Sequence, residues 1–169
     1  MGEVAKPLPD IYHLQSELHM NRKKQIEPTI KKRIDVLLEI SGKKFSSGDL
    51  RGPLDIALKA WDLIPEPKSD WDYYPQSLSS GFVQDFADLG DKENVSKWSQ
   101  IMADMYGDLN HEDQLVLMTE GEAMYKLGDT DRAYYIFGRI YEIYGQKGLA
   151  GAQSTYLEFY RKEKAARGE

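Results

Sequence analysis

The sequence contains no cysteine and only three histidines, so it is poor in the side chains that bind transition metals. The lack of cysteine excludes disulfides and thiolate metal sites, and it is typical of proteins from a reducing cytoplasm. His13 and His19 are six residues apart, so they do not share a helix face as a metal-binding pair would. His111 precedes Glu112 and Asp113, a pattern typical of an acidic first helical turn. We therefore predict neither a metal nor another cofactor.

Long apolar runs are also missing. No stretch reaches the roughly 18 apolar residues that indicate a membrane span, and residues 1–7 lack the apolar core of a secretory signal. We therefore predict a cytoplasmic protein that does not insert into a membrane.

Recognisable catalytic motifs are absent too. No serine lies in a nucleophile-elbow sequence. The glycine-rich segment 145–151 follows a predicted helix and lacks the Lys-Ser/Thr ending of a phosphate-binding loop. We predict that the protein is not an enzyme. An enzyme on a helical scaffold, with clustered carboxylates around a metal, is the alternative.

Glycines at a fixed spacing are the most informative feature that is present. Gly128 follows one helical pattern and precedes Asp129, a residue type that often caps the next helix. Gly90 occupies the same place 38 residues earlier, and Gly107 and Gly145 close the two copies at the same offset. A fixed period of this size indicates stacked helical hairpins.

The last of these units, at about 114–147, resembles a tetratricopeptide repeat, a two-helix unit of about 34 residues. Gly121 matches the small residue at the helix crossing, and Ala133 and Phe137 match packing residues of the second helix. Fewer residues match in the units at about 34–67 and 76–109. The resemblance implies an all-α fold. About three antiparallel hairpins plus a capping helix would stack as a short right-handed solenoid.

The pattern of apolar residues predicts helices along most of the chain. Residues 1–9 hold two prolines and are predicted to be a flexible arm before a single domain at 10–169. Ile11, Leu14 and Leu18 predict a short first helix. The remaining helices are predicted at 28–45, 53–64, 76–88, 93–106, 111–127, 130–144 and 149–165. No segment has the alternation typical of a strand.

Charge is distributed unevenly along the chain. Residues 62–131 contain sixteen acidic and four basic side chains, a net charge of −12, whereas residues 1–61 and 132–169 each carry +3. An acidic middle region attracts a basic partner and repels the phosphates of nucleic acid. We therefore predict a protein partner and no nucleic acid. A solvated acidic surface that only keeps the protein soluble is the alternative.

The repeat register predicts a partner-binding surface, because the first helices of stacked hairpins line the concave face. It places Ser80, Gln84 and Asp88 of the middle unit there, with Met118, Glu122 and Tyr125 of the last unit. The aromatic residues just before the middle unit are candidate anchors, since Trp and Tyr are enriched at interface hot spots. These are Trp71, Tyr73 and Tyr74. Two alternatives stay open: inward packing of these rings, and a groove filled by the N-terminal helix.

The segment from Ile64 to Leu78 resembles small bacterial repeat proteins found beside polymorphic toxins. This resemblance implies an immunity or antitoxin protein that neutralises a basic toxin domain through its acidic concave face. A general peptide-binding adaptor or chaperone that uses the same groove is the main alternative. A homodimer formed through Tyr156, Phe159 and Tyr160 of the last helix is another.

Overall fold

The computed structural model describes residues 23–45 and 48–168, and seven α-helices dominate this part of the chain. They are α1 (Pro28–Phe45), α2 (Arg51–Asp62), α3 (Tyr74–Asp88), α4 (Lys92–Tyr106), α5 (Gln114–Lys126), α6 (Thr130–Tyr144) and α7 (Ser154–Arg167). The only β-type pairing among the described residues is a single bridge between Lys24 and Trp71. The predicted all-α class is confirmed. The predicted arm at 1–9 and the predicted helix around Leu14 lie outside the described residues.

The helix ends depend on local capping chemistry. Helices α1 and α6 begin and end where the sequence predicts. Helix α5 begins at Gln114 instead of 111, because the Asp113 side chain accepts hydrogen bonds from the backbone N–H groups of Leu115 and Val116. Helix α7 begins at Ser154 instead of 149, since Gly145–Leu149 and Gly151–Gln153 form short 3₁₀ turns. No helix among the described residues is long and apolar enough to cross a membrane.

The repeated glycines form the turns that their spacing predicts. Gly90 and Gly128 have φ values of +72° and +74°, a left-handed conformation that glycine adopts without steric cost. The next residue then caps the following helix in both copies. Asp91 accepts a hydrogen bond from the backbone of Asn94, and Asp129 accepts one from the backbone of Arg132. The two turns therefore have the same chemistry 38 residues apart.

Helices that are consecutive in the chain pack in antiparallel pairs, α1 with α2, α3 with α4 and α5 with α6, and α3 also packs against α5. The third pair crosses closely at Gly121. A Cβ atom there would lie 2.7 Å from Phe137 Cε1 and 3.2 Å from Ile136 Cγ2. The two helices therefore cross closely at Gly121, as the resemblance of this unit to a tetratricopeptide repeat implies. The core extends from this crossing to Phe82 and Trp98 of the second pair, whose ring centroids are 4.5 Å apart.

The aromatic residues of α7 pack against the third helix pair. Tyr156 stacks on Phe137 with ring centroids 4.8 Å apart, and Phe159 meets Tyr125 edge to face at 5.0 Å. Tyr160 is buried. Helix α7 therefore covers the end of the α5–α6 pair with rings that find their partners within the chain.

Candidate functional site

The residues predicted to bind a partner differ in their exposure. Tyr74 and Met118 are only 5% and 7% exposed, so they support the surface from below and do not offer contact area. Seven others are exposed or half-buried: Trp71, Tyr73, Ser80, Gln84, Asp88, Glu122 and Tyr125. The surface available to a partner is therefore composed of these seven and their neighbours.

Side-chain hydrogen bonds fix the position of the aromatic segment before α3. The Trp71 indole donates to the Pro65 carbonyl at 2.8 Å, and the Tyr74 hydroxyl donates to the Asp35 carboxylate. Tyr73 has a φ of +71°, a conformation that L-residues rarely adopt, and it is 65% exposed. Of the three rings predicted as anchors, Tyr73 is the most exposed, Trp71 is half-buried and Tyr74 is buried.

Helices α3 and α5 lie side by side and run in the same direction. The Gln84 side-chain amide donates to the Thr119 carbonyl at 3.3 Å, and the Lys126 ammonium pairs with the Asp88 carboxylate. Asp88 follows Gln84 on α3, and its partner Lys126 likewise follows Thr119 on α5. The two helices are therefore parallel. The first helices of the second and third pairs therefore share one surface, which we call the α3–α5 surface.

Two half-buried carboxylates, Asp85 and Glu122, lie between these two links along their helices. Burial raises the pKa of Asp85, and the neighbouring charge of Asp88 raises it further. Burial also raises the pKa of Glu122, although the Lys126 ammonium partly offsets this. No residue in the described part of the chain donates a hydrogen bond to either carboxylate. The α3–α5 surface therefore holds negative charge that its own side chains leave without a donor.

Glu122 also lies beside an aromatic group. Tyr125 is exposed and contacts Tyr156 and Phe159 edge to face, with ring centroids 5.4 Å and 5.0 Å apart. Burial raises the pKa of Tyr156, and the nearby Glu122 charge adds to this effect. Carboxylates next to aromatic faces are a favourable environment for a cation, because charge pairing and cation–π attraction act together.

A second polar site surrounds Glu120 of α5. This side chain is only 4% exposed. Its Oε1 accepts hydrogen bonds from Arg132 Nε at 3.0 Å and Nη2 at 2.7 Å, and its Oε2 lies 2.8 Å from His111 Nε2. Such paired, charge-assisted contacts are what a buried carboxylate requires. The site opens into a pocket of about 460 Å³.

The period of the α-helix explains why Glu120 and Glu122 differ in their surroundings. Residues two positions apart on an α-helix point about 200° apart, since each residue turns the helix by about 100°. Gly121 faces α6 between them, so the two carboxylates leave the helix in different directions. Only one of them could therefore remain on the open surface of α5.

Metal-binding chemistry is not visible at either site. Among residues 23–45 and 48–168, no three His, Asp or Glu side chains are grouped so that they could hold a metal ion. Neither a protein-family model nor a curated protein matches this sequence. The function is therefore inferred from the side chains that the fold brings together on the α3–α5 surface.

Proposed function

We propose that this protein is a non-enzymatic immunity or antitoxin protein, which neutralises a basic toxin domain by binding it through the α3–α5 surface. In this proposal the helix pairs stack as a short right-handed solenoid like that of tetratricopeptide repeats. Helices α3 and α5 then lie on its concave side. The parallel packing of α3 and α5 supports this arrangement.

The observation that carries the proposal is the pair of half-buried carboxylates, Asp85 and Glu122, without a donor in the described chain. A carboxylate that loses water without gaining a hydrogen bond is unfavourable in the free protein. A lysine or arginine from a partner supplies both the missing charge and the missing donors. The arrangement is therefore costly in isolation and favourable in a complex.

Exposed aromatic side chains add contact area. Tyr125 lies on α5 one turn from Glu122, and Tyr73 lies at the beginning of α3. Tyrosine is enriched among interface hot spots. The net charge of −12 on residues 62–131 extends the attraction over a longer range. Such a field accelerates association with a basic partner and makes the rate depend on ionic strength.

The direct test is capture of partners from the native lysate, followed by co-expression with the products of neighbouring genes. We expect one stoichiometric partner that inhibits growth alone and is harmless when co-expressed. Many weak, substoichiometric ligands would instead favour the peptide-binding adaptor. A partner that stays toxic in the complex would contradict the immunity role.

A set of neutral variants then tests the surface itself. We expect the double variant Asp85→Asn/Glu122→Gln to bind the captured partner at least about tenfold more weakly, because it removes both unpaired charges. Glu93→Gln is the control, since Glu93 is an exposed carboxylate in the first turn of α4. Isothermal titration of the partner measures both affinities. Equal affinity for the double variant and the control would exclude the α3–α5 surface as the binding site.

A further inference from the structure

A groove between α1 and α2, which we call the α1–α2 groove, leaves apolar side chains of the first helix pair open to solvent. Its volume is about 460 Å³. Apolar and basic side chains line it in equal number: Val36, Leu37 and Leu63, with Lys32, Arg33 and Lys59. Val36 is 48% exposed, and Ile40 one turn further along α1 is 42% exposed. The groove shares no lining residue with the α3–α5 surface, so it is a separate place for docking.

The α1–α2 groove lies at one end of the series of helix pairs. The first pair contacts the second mainly through α2 and α3, so α1 is the outermost helix at this end. At the other end, α7 covers the α5–α6 pair with the rings of Tyr156 and Phe159. Terminal pairs of stacked helical proteins require such a cover to stay soluble. Among the described residues, the first pair lacks the cover that α7 gives to the last.

The basic residues of the groove indicate the charge of its occupant. Lys32, Arg33 and Lys59 form no ion pair with any described residue. A neighbouring lysine of α1 is paired, since Lys31 Nζ lies 2.8 Å from the Asp35 carboxylate. A segment that combines an apolar stripe with acidic side chains therefore complements this groove in both hydrophobicity and charge.

The short first helix that the sequence predicts has this composition, and its residues lie outside the described part of the chain. Its apolar stripe consists of Ile11, Leu14 and Leu18. Asp10 and Glu17 are seven residues apart, so a helix places both at one edge of this stripe. The predicted helix contains no lysine or arginine. It therefore matches a groove that is apolar and basic.

The length of the connecting chain allows this contact. Lys23 is the first described residue, and Lys32 of the groove lies nine residues after it. These nine residues cover at most about 23 Å, because extended residues advance about 3.4 Å each and the four helical ones about 1.5 Å each. Leu14 lies nine residues before Lys23, and the same arithmetic gives it the same reach. The predicted first helix therefore has enough chain to meet the groove.

We propose that residues 10–20 of this chain occupy the α1–α2 groove. Their apolar stripe covers Val36 and Leu63, and Asp10 and Glu17 pair with the basic residues of the groove. The segment thus covers the first helix pair as α7 covers the last, and it leaves the α3–α5 surface open. The contact needs no toxin partner, so its failure and the failure of the immunity role are separate results.

The test places a nitroxide label on the full-length protein, which has no native cysteine. Ser16→Cys suits the label, because residue 16 lies on the side of the predicted helix opposite its apolar stripe. We expect strong paramagnetic broadening of the amide signals of Leu37 and Leu63 in the ¹⁵N-labelled protein. Unchanged signals at both residues would overturn the proposal.

Two further readings identify the other possible occupants. Broadening centred on Gln84 and Glu122 would place the segment on the α3–α5 surface and overturn the proposal. A mixture of ¹⁵N-labelled protein without nitroxide and unlabelled protein with nitroxide tests for a second copy. We expect no broadening in this mixture, and broadening of Leu37 and Leu63 there would overturn the contact within one chain.

A matched variant separates docking from simple proximity of the label. Leu14→Ser/Leu18→Ser keeps the label and the connecting chain but removes most of the apolar stripe. We expect the broadening of Leu37 and Leu63 to be lost in this variant. Equal broadening with and without the two leucines would overturn the proposal, since the label would then report only the length of its tether.

Charge reversal tests the pairing with the basic residues. We expect Lys59→Glu to lower the docked fraction, measured from the same broadening, with a roughly threefold smaller equilibrium constant, the effect typical of an exposed charge pair. Lys162→Glu is the matched control, since Lys162 is an exposed lysine of α7 that undergoes the same change of charge. Equal docking in the two variants would overturn the role of charge in the groove.

Discussion

Glu120 and Glu122 are two residues apart on α5, yet their carboxylates are in opposite situations. Glu120 accepts hydrogen bonds from Arg132 and contacts His111, whereas Glu122 is half-buried without a donor in the described chain. We expect Glu120→Gln to lower the free energy of unfolding by about 1–3 kcal/mol, because it removes charge-assisted hydrogen bonds. Glu122→Gln is the control and should leave stability unchanged or raise it. Urea unfolding at pH 7 measures both, and equal losses would contradict this difference.

Asp85 and Glu122 also affect how stability depends on pH. Burial raises the pKa of both carboxyl groups, so the folded protein holds these protons more tightly than the unfolded chain. Their contribution therefore becomes unfavourable as pH rises above their ordinary values of about 4. We expect Asp85→Asn/Glu122→Gln to be more stable than the wild type at pH 7 and to lose this advantage by pH 3. Urea unfolding across this range measures the difference.

The control for this pH dependence is Glu39, a carboxylate whose pKa is shifted in the opposite direction. A hydrogen bond from Lys43 lowers the pKa of Glu39, so its stabilising contribution is present at neutral pH and is lost as pH falls. Glu39→Gln should therefore be slightly destabilised at pH 7, and the effect should be small because the pair is exposed. It should vanish in acid, because protonation of Glu39 removes the pair from the wild type as well. If Asp85→Asn/Glu122→Gln and Glu39→Gln changed stability in the same direction with pH, the opposite directions of their pKa shifts would be contradicted.

At the scale of the helices, Gly121 and Gly81 are a matched pair. Both lie inside helices, but a Cβ atom on Gly121 would lie 2.7 Å from Phe137, whereas a Cβ atom on Gly81 has nothing within 4 Å. We expect Gly121→Ala to lower the free energy of unfolding by about 1–3 kcal/mol through overpacking. Gly81→Ala should raise it by about 0.5–1 kcal/mol, because alanine favours the helix. Thermal unfolding measures both, and a stabilised Gly121→Ala would contradict the close crossing.

At the scale of the whole molecule, the packing of α7 bears on the oligomeric state. Tyr160 is buried and Tyr156 stacks on Phe137 within the same chain, so these rings need no second copy. We expect sedimentation velocity to give a constant mass near 19.4 kDa from micromolar concentrations upward. A mass that rises with concentration, and falls again in the variant Phe159→Ser, would instead favour the homodimer formed through α7.

Features that depend on interactions within a few residues could be predicted from the sequence. Features that depend on contacts between helices could not. Helix α6 could be located from its ends, because Gly128 and Asp129 act on backbone groups within a few residues of themselves. Glu120 could not be placed in this way. Its partner Arg132 lies on the next helix, and its exposure depends on how that helix packs. The same reason applies to Met118, which repeat register places on an open face and packing buries.

The sequence by itself determined the all-α class, the turn glycines and the caps that follow them. These features follow from backbone conformation and helical periodicity, which act locally. The close crossing at Gly121 is implied only by the resemblance to a tetratricopeptide repeat. Only the tertiary structure decided how far each carboxylate is shielded from water, as the buried and paired Glu120 and the half-buried Glu122 show. The physical reason is that desolvation depends on every helix packed around a group, and its cost is set by the partners that remain within reach.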